Sequence, residues 1–90
     1  MKTYLLSYAN SLGTREEIKA AFLTTGAVKN WRFDMPNAFY LRSDKNAEEL
    51  SRLLRLARGD KGRFIITELV GDNYFGWLPP DTWKFIRNEK

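Results

Sequence analysis

Eleven carboxylates, four tyrosines and fifteen lysines and arginines are the groups with which this chain of 90 residues could do chemistry, because it contains no histidine and no cysteine. That composition removes the commonest general base and metal ligand, thiol nucleophiles, thiolate metal sites and disulfides. What remains is an acid/base pair built from carboxylates or tyrosine, a divalent cation held by oxygen, or a cationic binding surface. The carboxylates do not fall into a pair whose spacing ensures proximity. Asp34 and Asp44 flank two hairpin strands, Glu68 lies inside a later strand and Asp72 follows it. Each has an ordinary structural reading: Asp44 as a helix cap, Asp60 and Asp72 as turn residues, Glu68 as an edge or ion-paired strand residue. Gly59-Asp60-Lys61-Gly62 lacks the spacing of a phosphate-binding loop and the helix that should follow it. The polar stretch Tyr8-Ala9-Asn10-Ser11, at the end of the first strand, is either a reaction centre or a turn. No catalytic, cofactor-binding or metal-ligating residue is assigned, and no cofactor is expected.

The strongest polar signal is basic. Arg52, Arg55 and Arg58 recur every third residue on one predicted helix, and Lys61 and Arg63 extend the series into the next turn. Glu48 and Glu49 are spaced to pair with Arg52, whereas Arg55 and Arg58 have no acidic residue three or four positions upstream. Such a ridge is either a solvated helix face or a surface that contacts the phosphates of RNA or DNA. Arg32 and Arg42 on the hairpin form a second, weaker basic candidate. The net charge of +4 and the pI near 9.6 lean towards an anionic partner.

The elements that must position these groups follow from the hydrophobic periods. Residues 2 to 8 read as a strand, with turn residues from Asn10 to Gly13. Thr14-Arg15-Glu16-Glu17 has capping-box spacing and opens a helix over about 14 to 25, with Ile18, Ala21, Phe22 and Thr25 on one face and Gly26 ending it. From Val28 the period becomes two, with Trp31, Phe33 and Met35 alternating with polar neighbours up to a turn at Met35-Pro36-Asn37. "AFYLRS" is the third strand. Ala47, Leu50, Leu53, Leu54 and Ala57 mark a second helix that stops at Gly59, and residues 63 to 70 form the fourth strand. The expected class is therefore α+β, a ferredoxin-like βαββαβ sandwich with a four-stranded antiparallel sheet and two helices on one face. We read one domain, residues 1 to 90, with a core over 1 to 72 and an apolar C-terminal extension over 73 to 90. At this length the core buries about 60 to 65% of the unfolded chain's surface, so association would add stability.

These strands carry apolar side chains on both faces, so the face away from the helices needs a cover. Leu5, Tyr40, Ile65 and Leu69 lie on it. The extension, with Trp77 and Trp83, either crosses its own sheet or joins a partner's in a two-fold dimer, and Pro79-Pro80 divides it before a short last turn near Asp81. A third reading stacks bases on the open face, as RNA-recognition motifs do, although the signature of that motif is missing from the third strand. No segment approaches the roughly 20 apolar residues that span a bilayer, and the N-terminus does not read as a signal peptide. The expectation is a cytoplasmic protein with no membrane partner.

The opening strand Tyr4-Leu5-Leu6-Ser7-Tyr8, the strand Phe39-Tyr40-Leu41-Arg42 running into Ser43-Asp44, the helix start Ala47-Glu48-Glu49-Leu50, and the closing Gly71-Asp72, Trp77 and Trp83 together resemble the Cas-two-like group of ferredoxin-like proteins. The likeness is nearest to the short bacterial and phage proteins called the SinR family, a label distinct from the helix-turn-helix repressor of that name. The resemblance implies a homodimer. It also implies that the first strand should end Tyr-Asp, with that Asp holding a divalent metal between two subunits for ribonuclease chemistry. Here the position is Ala9, whose methyl group cannot ligate Mg²⁺. The expected function is thus a non-enzymatic homodimeric module that contacts nucleic acid or another anionic partner through the Arg52 to Arg63 ridge. A metal-dependent ribonuclease with altered ligands and a protein-interaction adaptor are the alternatives.

Overall fold

The computed structural model describes residues 1–60, 62–71 and 73–87. Its elements are β1 (Lys2–Tyr8), a 3-10 turn (Asn10–Leu12), α1 (Arg15–Thr25), β2 (Asn30–Arg32), β3 (Ala38–Ser43), α2 (Ala47–Arg58), β4 (Phe64–Glu68) and α3 (Pro80–Ile86). The four strands make one sheet in the order β2-β3-β1-β4. All three pairings are antiparallel. This is the α+β, ferredoxin-like arrangement that the hydrophobic periods imply.

Local chemistry sets the helix ends. Thr14 accepts from the Glu17 amide while the Glu17 carboxylate accepts from the Thr14 amide, a complete capping box, and Gly26 closes α1 in the left-handed conformation at φ 66°. The second helix is capped by Asn46, whose side chain accepts from the Glu49 amide at 2.8 Å, and not by Asp44. The reason is local: the Ser43 hydroxyl accepts from the Lys45 amide and holds Asp44 in a turn, which delays the helix until Ala47.

Alternation in β1 and β3 sends Tyr4, Leu6, Tyr8, Phe39 and Leu41 towards the helices, where they pack with Ile18 and Phe22 of α1 and Leu50 and Leu54 of α2. The β2–β3 ladder ends after Arg32, earlier than the period-two pattern suggests. Register is kept only by side chains beyond that point, with the Phe33 ring edge-on to Phe39, because the chain turns through Pro36 and Asn37, the latter at φ 60°. Similarly β4 is shorter than the apolar run around it. Arg63 and Leu69 still bond β1 through Ala9 and Thr3, but Val70 is exposed.

The C-terminal extension folds back over its own sheet. Along α3, Thr82 and Ile86 are buried against the face opposite α1 and α2. The hydroxyl of Thr82, 0% exposed, accepts from Arg32 Nε at 2.7 Å and donates to Asp34 Oδ2, and Arg42 Nη2 donates to the Phe85 carbonyl at 2.5 Å. Pro80 suits the first turn of this helix, where its missing N–H has no partner to lose. Among the described residues no helix is long and apolar enough to cross a membrane.

One close approach ties the two ends of the core together. A Cβ added at Gly62 would lie 2.3 Å from Leu12 Cα and 2.6 Å from Leu12 Cβ, and Leu12 is itself in the core. Gly62→Ala is therefore expected to lower unfolding stability by about 1–3 kcal/mol, the usual range for overpacking, measured by denaturant titration. An unchanged midpoint would show that the turn relaxes freely.

Candidate functional site

The stretch Tyr8-Ala9-Asn10-Ser11 is a structural junction. Its backbone continues the sheet by two bonds, from the Tyr8 amide to the Asn37 carbonyl at 3.1 Å and from the Ala9 amide to the Arg63 carbonyl at 2.9 Å. Asn10 then winds into the 3-10 turn, and its side-chain oxygen accepts from Asn37 Nδ2 at 2.9 Å. Leu12 plugs the core. A cleft lined by Tyr8, Asn10, Thr14, Arg15, Glu17 and Asn37 lies beside this junction, and the Thr14 and Glu17 amides there are taken by the capping box.

The carboxylates are dispersed over different elements. Asp34 is bound to Thr82 and lies 3.8 Å from Arg32, and Asp60 pairs with Arg55 at 3.0 Å. Glu68 ends the edge strand opposite Tyr4, and Asp44 is exposed in its turn. Asp72 lies outside the described residues. Among the described residues no group of three or more Asp, Glu, His or Cys side chains is placed to hold a metal ion. Tyrosine is no better placed as a base at two of its positions. Burial pushes the Tyr4 phenol up, with the charges of Glu68 and Glu49 adding to the effect, and burial together with Asp34 does the same for Tyr40.

The basic residues separate into fasteners and free cations. Arg58 turns inward from the ridge: its Nε donates to the Leu12 carbonyl at 2.9 Å and its Nη2 to Glu17 Oε2 at 3.0 Å. Its guanidinium packs on Gly13, where an added Cβ would meet Nη2 at 2.7 Å. The partner that no helical spacing supplies is thus on the other helix. Arg55 is paired with Asp60, two residues past the helix end. Glu49 lies 3.9 Å from Lys45, and Arg52 forms no ion pair among the described residues, so the expected pairing with Glu48 or Glu49 is absent. Arg63 is exposed, and Lys61 lies outside the described residues. The second basic candidate, Arg32 and Arg42, fastens α3 to the sheet, with the Arg42 guanidinium 4.1 Å from the centre of the Phe85 ring.

What the fold assembles instead is apolar. Leu5, Tyr40, Leu69, Trp77 and Trp83, five residues separated along the chain, line one groove of about 310 Å³ between the sheet and the extension. Ile65 projects from β4 on the same face of the sheet and is 64% exposed. The indole of Trp77 is 99% exposed and Phe75 is 90% exposed. Phe75, together with the cations of α3, is absent from the sequence-derived candidates. Its signal was the aromatic run of the extension, which reads equally as cover for the sheet. Comparison of the chain with protein-family models, curated proteins and solved structures found no match.

The Glu17–Arg58 contact has a pH consequence. The Glu17 carboxyl is held below the usual carboxylate range, first by the hydrogen bond from the Thr14 backbone, then by the Thr14 side chain, and then by the Arg58 charge. A lowered folded-state value means that its stabilisation is present above the unfolded pKa of about 4.3 and is lost as pH falls through the folded value. Glu17→Gln is expected to be less stable than the native chain near neutrality, with the difference shrinking on acidification. Thermal melts from about pH 7 down to about pH 3 would read this, and a pH-independent difference would contradict it.

Proposed function

We propose that this chain is a non-enzymatic interaction module that forms a homodimer through the uncovered part of its sheet's second face. The observation that carries the reading is the Trp77 indole, 99% exposed beside an apolar groove of about 310 Å³. A fully exposed indole next to a groove lined by Leu5, Tyr40, Leu69 and Trp83 is an arrangement that a second copy can satisfy reciprocally, since each copy offers both the projecting ring and the recess. Exposed large apolar side chains in one region mark interaction sites more often than chance, and buried tryptophans dominate such interfaces. Ile65 and the outer edge of β4 continue the same surface, because β4 is the last strand of the sheet.

The resemblance to the Cas-two-like group enters this proposal through its fold and two-copy assembly. It does not extend to cleavage, because Ala9 stands where the metal-binding Asp would be and its amide is committed to the sheet. The helix ridge contributes less than its spacing suggests, with Arg58 engaged inside the fold and Arg55 paired with Asp60.

Trp77→Ala is expected to weaken self-association by about 2 kcal/mol or more, roughly thirtyfold, while leaving the melting temperature of the monomer nearly unchanged, as is usual for an exposed side chain. Size-exclusion chromatography with light scattering over a dilution series measures the first and calorimetry the second. A native chain that stays at its 10.5 kDa monomer mass at high concentration would overturn the dimer. In that case, capture of a different protein by the native chain but not by the variant would transfer the same surface to an adaptor role.

A further inference from the structure

The outer side of α3 carries a surface that shares Phe75 and Trp83 with the groove and adds two cations to them. Phe75, Pro80, Trp83, Lys84 and Arg87 line a shallow depression there. Trp83 is clasped on two sides: the Phe75 ring lies 5.5 Å from it at an interplanar angle of 41°, and the Arg87 guanidinium carbon lies 5.0 Å from its ring centre. The three planar groups lie side by side, and Phe75 remains 90% exposed. Among the described residues Lys84 and Arg87 enter no salt bridge, although Asp81 is only three positions before Lys84. Two cations that enter no salt bridge among the described residues therefore flank an exposed aromatic platform on a chain of net charge +4.

We propose that this platform binds single-stranded nucleic acid, with a base stacked on Phe75 and the Trp83 edge and neighbouring phosphates held by Lys84 and Arg87. The planar and anionic groups of a single strand match a surface where the rings of Phe75 and Trp83 lie beside the cations of Lys84 and Arg87. A duplex keeps its bases stacked inside and offers only phosphates to the two cations. An acidic peptide supplies the charges but has no regularly spaced flat faces for the rings. The site is separate from the helix ridge but shares Phe75 and Trp83 with the groove, so a second copy seated there would compete with a bound strand; Lys84 and Arg87 lie outside the groove, and their effect on the salt slope separates failure of this site from failure of the dimer.

The test is fluorescence anisotropy of labelled oligothymidylate and oligouridylate over a salt series, beside a blunt duplex and polyglutamate of matched charge. The native chain is expected to prefer the single strands. Phe75→Ala should weaken them about tenfold, in the range of one lost base–aromatic stack, and Phe75→Tyr should restore most of that loss. Lys84→Gln combined with Arg87→Gln should lower the slope of log affinity against log salt by about 1.4, from roughly 0.7 per phosphate contact on a single strand. Arg52→Ala with Arg63→Ala should stay within about twofold of the native chain, and a larger loss would place the phosphate contacts on the ridge and overturn the proposal. Absence of binding at low salt, equal affinity for polyglutamate or duplex, or an unaffected Phe75→Ala variant would each overturn the proposal. Circular dichroism of each variant checks that the fold is intact.

Discussion

A sheet that packs both of its long helices on one side exposes the other, and the rest of this structure is shaped by how that second face is covered. Tyr40 and the stem of Arg42 lie there on β3, and Leu5 lies there on β1. Leaving such groups in water would forgo burial worth about 25 cal/mol per Å² of apolar surface in a chain too short to spare it. The short helix α3 provides the cover, but only in part. It is fixed over β2 and β3 by Arg32, Asp34 and Arg42 and does not enclose Ile65 on β4. The groove is the boundary between the covered and uncovered portions.

The polar chemistry of the chain is largely spent on holding this arrangement. Thr82 has no exposed surface and its hydroxyl uses both its donor and its acceptor capacity, so the buried group is satisfied and the register of α3 on the sheet is specified. Arg58 does comparable work on the opposite side, joining α2 to α1 and to the turn after β1. Because guanidinium groups present several donors in a rigid fork, one arginine can bridge a carbonyl and a carboxylate on different elements. The consequence for function is subtractive. Two arginines that look like a binding surface, Arg55 and Arg58, are engaged within the fold, whereas Arg52 on the ridge and Lys84 and Arg87 at the end of the chain's last helix enter no salt bridge among the described residues.

How much of this was legible in the sequence depends on the range of the interaction. The capping box at Thr14 and Glu17, the left-handed Gly26 and the alternating faces of β1 and β3 are encoded within a few residues, and each is found as read. Asn46 in place of Asp44 as the second cap is a shift of two positions caused by a Ser43 turn that propensity does not register. The contacts of Arg58 with Glu17 and of Thr82 with Arg32 and Asp34 span 41 to 50 positions, so no helical or strand spacing could announce them. For the site, Leu5, Tyr40, Leu69, Trp77 and Trp83 were identifiable as a set because all were too apolar for the face they occupy. Which rings would stay exposed was not, since an aromatic residue in an extension reads the same whether it covers the sheet or projects from it. Phe75 and Trp77 are separated from Trp83 in that respect only by the path of the chain through Leu78 and Pro79.

The central claim is that the uncovered part of the second face is where two copies meet. Amide and indole chemical shifts of the native protein, recorded by NMR over a dilution series, test it most directly because they report location as well as occurrence. The account predicts concentration-dependent shifts at Leu5, Ile65, Leu69 and the Trp77 indole, with Ile18, Phe22, Leu50 and Leu54 of the helical layer unmoved. Shifts concentrated on the outer faces of α1 and α2, or spectra that do not change with concentration while the protein remains monomeric, would contradict it.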